Sequence, residues 1–282
     1  MASQKSFSAK KNIAIKDIQL TADFEVALEL MRNGDECQFI TGRAGTGKST
    51  LLRYFRATTS KNIVVLAPTG IAAINVSGQT IHSFFQLPPR FIQESEIRPL
   101  GRNKSLIEKI EILIIDEASM VRADVLDGID LSLRMNRGSH KPFGGVKVIL
   151  IGDLFQLPPV VGQDMNGFFE KKYISPFFFS ARVFQKLDIR CFELTHIFRQ
   201  NEPKFISLLN NIREDKHTEE DMTLLNSRLI DEDYFDEEEI FVVLTATNEA
   251  ASRINAYNLS KIEDEPYCYQ ASVAQKFDEK EY

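Results

Sequence analysis

Short apolar runs alternate along the first 160 residues with segments whose apolar positions recur at helical spacing. Buried strands bounded by helices in this way are typical of a parallel sheet covered on both faces, so the pattern predicts an α/β fold. Thr21 or Asp23 can cap the first helix, and Gly34 follows its end. The predicted strands cover 37–41, 61–69, 111–115 and 146–153, and the predicted helices cover 21–33, 48–56 and 123–135.

The pattern changes after residue 200. Residues 203–230 and 248–262 have helical spacing, and the apolar run at 240–244 predicts one more buried strand. One strand and its helices cannot close a core alone, so we expect this part to open a second domain whose remainder is absent. The predicted organisation is an N-terminal extension over 1–20, a first domain over 21–199 and a partial second domain over 200–282.

Composition and charge narrow the class of protein. The 282 residues are 43% hydrophobic, and no apolar run is long enough to span a bilayer, so we predict no membrane association. The three cysteines and four histidines are scattered, which indicates neither a disulfide framework nor a zinc site and fits a reducing cytoplasm. Residues 1–200 carry 26 Lys and Arg against 20 Asp and Glu, whereas residues 201–282 carry 8 against 20. The mildly basic first part is compatible with a nucleic-acid surface.

The stretch GRAGTGKST at 42–50 matches the phosphate-binding pattern G-x-x-x-x-G-K-[ST] between a predicted strand and a predicted helix. Its glycines let backbone N–H groups turn toward phosphates, and the helix N-terminus adds partial positive charge. Lys48 can reach the terminal phosphates, and the Ser49 hydroxyl can ligate magnesium. By itself the pattern indicates only a nucleoside triphosphate. The predicted nucleotide-binding residues are Gly42, Ala44, Gly45, Thr46, Gly47, Lys48, Ser49 and Thr50.

The stretch IEILIIDEASM at 110–120 places an acidic pair after a predicted strand. Asp116 lies at the carboxyl end of that strand, where open α/β sheets bind ligands. We predict that Asp116 holds magnesium and that Glu117 polarises the attacking water as a general base. An acidic loop is common after a strand, but its place downstream of the phosphate-binding stretch favours the catalytic interpretation.

The stretch VILIGDLFQLPPV at 148–160 begins as a buried strand, then presents Gln156 and stops at two prolines. We expect its strand to lie beside the phosphate site, so the loop at its carboxyl end would also face the nucleotide. A neutral amide there can hydrogen-bond the γ-phosphate or the attacking water. The alternative is a turn whose Gln156 is solvated, and the residues alone leave both interpretations open.

Five segments follow the order found in superfamily-one helicases, and one stretch is more specific. Residues 125–160, VLDGIDLSLRMNRGSHKPFGGVKVILIGDLFQLPPV, resemble the signature segment of the petite-integration-frequency (Pif-type) DNA helicases, which are related to RecD-like enzymes. The resemblance covers about residues 20–260. The five segments are GRAGTGKST, APTGIAAINVSGQTIHSFF, IIDEASM, KPFGGVKVILIGDLFQLPPV and ELTHIFRQ.

This resemblance implies an ATP-driven motor that moves five-prime to three-prime on single-stranded DNA and opens duplexes at DNA forks. It implies RecA-like domains that close on ATP and Mg²⁺, and we expect a monomer. Matched by motif, Lys48 and Ser49 bind phosphate and magnesium, and Asp116 with Glu117 form the magnesium and catalytic acid pair. Gln156 becomes the γ-phosphate sensor. Arg199 matches the arginine finger that stabilises charge on the transferring phosphoryl group.

The resemblance also assigns a DNA-facing stretch at 67–85. Thr69 and Gly70 can offer a hydroxyl and a backbone N–H to phosphates, and His82, Phe84 and Phe85 can stack on bases. The alternative for the two phenylalanines is burial in the core, which we favour for at least one of them. Residues 86–104 fall where the family inserts a small wedge near the fork, and an ordinary surface loop is the alternative.

Two departures from the family pattern change the expectations. The glutamine that contacts adenine in the family is expected near Phe24 or Glu25, and the nearest glutamine is Gln19. The later motifs of the second motor domain do not occur, so we expect a first motor domain plus a fragment that does not unwind DNA unaided. Two competing hypotheses are a DNA-independent P-loop ATPase and a fragment that binds nucleotide without turnover.

Overall fold

A computed structural model describes residues 20–34, 36–101, 104–162, 165–198, 203–229 and 242–262, with five further positions between 264 and 270. Contacts between residues divide the chain into two compact units, and the boundary falls between Glu214 and Asp215. The segment 203–213 therefore belongs to the first unit. The assignment of the remainder to a second RecA-like domain stays a prediction.

The first unit is built on a six-stranded sheet in which every pairing is parallel. The order across the sheet is β3-β2-β4-β5-β1-β6. The predicted α/β fold with a parallel sheet is confirmed, and the four predicted strands are its four central ones. The strands are β1 (Cys37–Gly42), β2 (Ile63–Ala67), β3 (Gln79–Thr80), β4 (Ile112–Ile115), β5 (Lys147–Gly152) and β6 (Arg190–Leu194).

Helices cover both faces of this sheet. The helix α1 begins where predicted, because the Thr21 side chain accepts a hydrogen bond from the N–H of Phe24. The helices of the first unit are α1 (Ala22–Asn33), α2 (Lys48–Thr58), α3 (Gly70–Asn75), α4 (Ile81–Phe85), α5 (Lys104–Lys109), α6 (Ala123–Arg137), α7 (Asn166–Lys172) and α8 (Pro203–Arg213).

Alternate residues of each central strand enter two separate apolar cores. On one face, Leu113 and Leu150 pack in the core that includes α6. On the other face, Ile114 and Ile149 pack against α1 and α2. Strands buried on both sides explain the continuous apolar runs in the sequence. The sheet is therefore rigid beneath the loops at its carboxyl edge.

The segment 86–101, which the resemblance places in a small insertion, is anchored to the first unit, although much of its sequence is polar. Its backbone is held by side chains of α6 and the residue before it: the N–H of Ile92 donates to Asp124, and the N–H of Leu100 donates to Asn136. The carbonyl of Arg90 accepts from Arg122. The apolar residues that it buries are Leu87, Phe91, Ile92, Ile97 and Leu100.

The second unit is described only in part, by α9 (Glu219–Asn226) and α10 (Asn248–Ser260). Predicted helix 203–230 is thus two helices with a break between them, in different units. Predicted strand 240–244 is wrong over 242–244, the part that is described: these residues form no strand, and Val242 and Leu244 are exposed. A strand needs a hydrogen-bonding neighbour, and the described residues of this unit include no other strand.

Candidate nucleotide site and the adjoining groove

Three segments singled out in the sequence leave the sheet side by side. The strands β4, β5 and β1 are neighbours, with Ile115 beside Leu150 and Thr41 beside Gly152. Asp116, Asp153 and the phosphate-binding loop therefore follow adjacent strands at the same edge. Because all strands run parallel, this is the carboxyl edge, where open α/β sheets bind ligands.

The phosphate-binding loop has the backbone shape that its glycines predict. Gly47 has φ +85° and lies directly before α2, so its left-handed conformation turns the loop into the helix. A Cβ there would approach the ring of Phe24 to 2.8 Å. Phe24 is buried against the loop and packs edge-on with Phe198, with ring centroids 5.6 Å apart. Gln19, the nearest glutamine, lies outside the described residues.

The remaining predicted residues of the loop lie in or beside it. Thr46 is buried, and its hydroxyl donates to the carbonyl of Arg43. Ala44 and Ser49 are exposed, and Thr50 is half-buried on the first turn of α2. This arrangement leaves the loop surface and the start of α2 accessible, as phosphate binding by backbone N–H groups requires.

Lys48 begins α2 and turns back over the loop. Its Nζ donates to the carbonyls of Gly42 and Arg43. Burial lowers the pKa of the Lys48 ammonium, while the charges of Asp153, Glu117 and Asp116 act in the opposite direction. Lys48 is thus a half-buried cation under the electrostatic influence of three carboxylates, and it is well placed to bind a phosphate.

The acidic pair combines a buried carboxylate with a strained backbone. Asp116 is 7% exposed, and burial together with the negative charge of Glu117 raises its pKa to about 6. The N–H of Glu117 and the charge of Lys48 offset part of that rise. Glu117 adopts the left-handed conformation, φ +52°, which is costly for a non-glycine residue and is concentrated at functional sites.

One cleft of about 270 Å³ brings the predicted residues together. Ser49, Thr69, Asp116, Glu117 and Gln156 all line it. Gln156 is exposed, so the amide is accessible from the cleft, but it is not free: its Nε2 donates to Asp153 at 3.2 Å. The structure thus supports the interpretation that the loop after β5 faces the nucleotide site.

The loop after β5 and the acidic turn are packed tightly against each other at Gly152. A Cβ at this position would lie 3.0 Å from the backbone nitrogen of Ala118 and 3.1 Å from that of Ser119. Those nitrogens follow Glu117 directly. Only glycine permits this approach without a shift of the turn, so the glycine before Asp153 lets the turn after Glu117 pack closely against the end of β5.

The donor chemistry of the cleft fits magnesium. Among the described residues, no three His, Cys, Asp or Glu side chains are grouped closely enough to hold a metal. Mg²⁺ bound with a nucleotide needs fewer protein ligands, typically one or two, with phosphates and water supplying the rest. The buried carboxylate of Asp116 and the hydroxyl of Ser49 line the same cleft and are hard oxygen donors of this kind.

Two residues at this site were missed in the sequence. Asp153 is 1% exposed, and Arg213 at the end of α8 donates to both of its carboxylate oxygens, at 2.8 and 3.3 Å. Asp153 had a signal, since it follows a strand at the ligand-binding edge. Arg213 had none, because 60 residues separate it from its partner.

A second groove, of about 130 Å³, adjoins the nucleotide cleft. Thr69 lines both. His82 and Arg122 lie in the groove, and burial of His82 together with the charge of Arg122 lowers the pKa of His82, which favours the neutral ring. The Nε2 of His82 is buried and finds no hydrogen-bond partner among the described residues. Gly70 is exposed beside Thr69.

The structure corrects the prediction for Phe84. Its ring is 3% exposed and packs edge-on with Phe85, which is 2% exposed. Both rings belong to the core under α4, so neither can stack on a base, and the core alternative is right for both. Arg199, the predicted arginine finger, lies outside the described residues.

The comparisons with known proteins decide the family. A family model described as PIF1-like helicase matches residues 19–223. The chain belongs to the PIF1-like helicase family. The resemblance inferred from the five segments is thereby confirmed.

Individual relatives agree with this assignment. The ATP-dependent DNA helicase PIF1 of Saccharomyces cerevisiae (strain YJM789) is 33% identical over 267 residues, 90% of this chain and 30% of its own length. The crystal structure of the Bacteroides Pif1 helicase in complex with ADP-AlF3 and ssDNA matches with TM-score 0.84 and 40% identity, over 94% of this chain and 62% of that one. A structure of DNA unwinding at forked dsDNA by two coordinating Pif1 helicases matches with TM-score 0.83 and 39% identity, over 94% and 63%.

The chain thus spans about a third of the yeast relative and under two thirds of the two matched structures. None of the helices in the described part of the chain combines the length and the apolar character needed to cross a membrane.

Proposed function

We propose that this chain carries the ATP-hydrolysing site of a DNA helicase, in which turnover drives five-prime to three-prime movement on single-stranded DNA. The observation that carries the proposal is the single cleft lined by Ser49, Asp116, Glu117 and Gln156. Thr69 lines this cleft and the groove of His82, which gives a short physical connection between nucleotide and DNA.

In this proposal each side chain has one task. The loop N–H groups and Lys48 bind the phosphates, and Ser49 and Asp116 hold Mg²⁺, which supplies charge neutralisation at the phosphate oxygens. Glu117 accepts a proton from the attacking water. Gln156 donates to the γ-phosphate, and Arg199 stabilises the charge that develops on the transferring group.

The partners are proposed from the groove and from the relatives. Thr69, Gly70 and His82 would contact single-stranded DNA, and ends of the strand at a fork would enter the same groove. The matched structures with ssDNA and with forked dsDNA support these partners. We propose a monomer as the working unit, although two Pif1 helicases coordinate in the fork structure. Sedimentation of the chain with and without a forked substrate tests this point.

The experiment is ATP hydrolysis by this chain with and without single-stranded DNA, beside Lys48→Ala. Hydrolysis that DNA stimulates and that Lys48→Ala abolishes is the expected result. Turnover indifferent to DNA would favour a DNA-independent ATPase instead. Binding of nucleotide that depends on Lys48 but leads to no turnover would favour a nucleotide-binding fragment.

A further inference from the structure

The loop that carries Gln156 is organised around one buried carboxylate. Asp153 accepts four hydrogen bonds: from the N–H of Phe155 at 3.2 Å, from Nε2 of Gln156 at 3.2 Å, and two from the guanidinium of Arg213. One oxygen receives the Gln156 amide and Nε of Arg213, and the other receives the Phe155 N–H and a terminal nitrogen of Arg213. The orientation of Gln156 therefore depends on where this carboxylate is held.

Arg213 is the group that holds it. The guanidinium is largely buried, with a side-chain exposure of 16%, and lies between the Asp153 carboxylate and the ring of Phe155, whose centroid is 4.2 Å away. A planar guanidinium matches a carboxylate with two parallel hydrogen bonds and stacks on an aromatic face, which lysine cannot reproduce. Arg213 thus holds both Asp153, around which the loop is organised, and Phe155, the residue next to Gln156.

The ion pair between Arg213 and Asp153 also balances charge beside Lys48. Burial acts to raise the pKa of Asp153, but the hydrogen bonds from Arg213 and Phe155 outweigh it, so the pKa lies below its usual range. Asp153 is also the carboxylate that acts most strongly on Lys48. Arg213 therefore keeps Asp153 ionised, so that its carboxylate can accept a hydrogen bond from the Gln156 amide.

A second ion pair ties the same helix end to the phosphate-binding loop. Arg43 in that loop contacts Glu214, which directly follows α8, at 3.1 Å. The end of α8 is therefore attached to both parts of the site, the loop before α2 and the loop after β5. Both attachments lie within the first compact unit.

We propose that Arg213 is a positioning residue for nucleotide recognition, which holds Asp153 so that the Gln156 amide is aimed at the γ-phosphate. The inference rests on the proposed function of the cleft. It makes Arg213 responsible for the distinction between ATP and ADP, since ADP has no γ-phosphate for Gln156 to contact.

The test is the affinity of the chain for ADP and for the ATP analogue AMP-PNP, each with Mg²⁺, measured by titration calorimetry. Arg213→Ala should weaken AMP-PNP binding about 10-fold, the size of effect typical for one lost hydrogen bond to a charged group. ADP binding should stay within about 2-fold. Arg213→Lys, which keeps the charge without the fork, should fall between wild type and Arg213→Ala.

Coupling to Gln156 separates positioning from a general structural effect. If Arg213 acts through Gln156, Arg213→Ala should cause no further loss of AMP-PNP affinity when Gln156→Ala is already present. Arg134→Ala is the matched control, because Arg134 pairs with the buried Asp130 at 2.8 Å on α6 but does not line the nucleotide cleft. It should leave the ADP to AMP-PNP ratio unchanged.

The outcomes distinguish this inference from the proposed function. Equal losses for ADP and AMP-PNP in Arg213→Lys, or additive losses with Gln156→Ala, would overturn the positioning role while the nucleotide site stands. A wild-type chain that binds neither nucleotide, or binds both regardless of Lys48→Ala, would overturn the proposed function and this inference together. Thermal unfolding of each variant identifies any that fail to fold. If Arg213→Ala does not fold, the ADP and AMP-PNP affinities of Arg213→Lys decide whether Arg213 has the positioning role.

Discussion

The nucleotide cleft and the interior around α6 both bury acidic side chains, but they pair them differently. Around α6, Asp124 is 1% exposed and accepts two hydrogen bonds from Arg122 and one from the N–H of Ile92. Asp127 accepts from the hydroxyl of Tyr173 and from the N–H of Val183. Each carboxylate there meets a partner from another segment, so its burial fixes the path of the chain.

In the cleft the charges are incompletely matched. Asp116 is buried beside Glu117 and has a pKa of about 6, and the pKa of Lys48 is lowered by burial. Both shifts mean that burial disfavours the charged forms in the folded protein. Only Asp153 resembles the α6 carboxylates, since Arg213 pairs with it.

This difference separates groups that hold the fold from groups that await a ligand. A paired buried carboxylate favours one arrangement of the chain, and removing it leaves its partner buried without a counter-charge and destabilises the fold. An incompletely compensated one costs stability unless a cation completes it, and such groups cluster at functional sites. The two regions should therefore respond in opposite ways to the removal of charge.

The largest expected effect is on catalysis. Glu117→Gln removes the proposed base without changing the shape of the side chain, so ATP hydrolysis should fall about 10²- to 10⁴-fold. ADP affinity should change little, and the free energy of unfolding should not fall. Steady-state hydrolysis with single-stranded DNA and urea unfolding measure the two. Glu29→Gln, an exposed glutamate on α1, is the control and should change neither. Hydrolysis within a few-fold of wild type would remove Glu117 from the mechanism.

The next effect is on stability, in the other region. Asp124→Asn leaves Arg122 buried without its counter-charge and weakens the hydrogen bond to Ile92, so the free energy of unfolding should fall by about 3 kcal/mol. Urea unfolding followed by circular dichroism measures the loss. Asp188→Asn, at an exposed carboxylate, is the control. A loss no larger than the control's would mean that the pairing around α6 does not carry the fold.

The sequence predicted the residues of the nucleotide cleft better than the paired residues around α6. Lys48, Asp116 and Gln156 could be singled out because their motifs are local, each following an apolar strand. The clamp residue Arg213 was missed because its partner lies on another element. The anchoring of the segment 86–101 could not be predicted for the same reason: its backbone donors find Asp124 and Asn136 only in the folded chain.

The fold, like the site, was predicted where the sequence signal is local and missed where it is not. The four central strands were found because burial on both faces makes them continuously apolar. The edge strand β6 was missed, since Arg190 and Cys191 are exposed and give it no apolar run. The two-residue strand β3 was also missed, because its pairing with β2 exists only through the tertiary structure.

A gain in stability should accompany a loss of function at Asp116. Its folded pKa of about 6 lies above the ordinary value of 3.8, so the folded state binds the proton more tightly and loses stability as pH rises through this interval. Without nucleotide and with a chelator, Asp116→Asn should match wild type near pH 4 and exceed it by roughly 2–3 kcal/mol above pH 6. Urea unfolding across this range measures the difference.

The same variant should lose hydrolysis, which links the instability to the site. Asp188→Asn again serves as the control and should show a difference from wild type that does not vary with pH. If Asp116→Asn were less stable than wild type at pH 7, Asp116 would belong with the paired carboxylates, and the distinction between the two regions would not hold.

The smallest expected effect is on DNA binding, at His82. This residue lies in the groove that adjoins both the nucleotide cleft and the start of α6. Its groove contains Thr69 from the cleft side and Arg122 from the α6 side. If the unpartnered Nε2 of His82 awaits a ligand, as Asp116 does, His82→Ala should weaken binding of a labelled oligothymidylate about 10-fold, the effect of one lost base contact. Fluorescence anisotropy at fixed salt measures this, with exposed His140→Ala as the control.

A second variant identifies the kind of contact at His82. His82→Phe keeps an aromatic face but no ring nitrogen, so retained affinity would indicate stacking on a base, and lost affinity would indicate a hydrogen bond from the imidazole. The pKa of His82 is lowered, so the ring is neutral and its contribution should not change between pH 7 and 8. Unchanged DNA affinity in both variants, with reduced unfolding free energy, would place His82 with the groups that hold the fold.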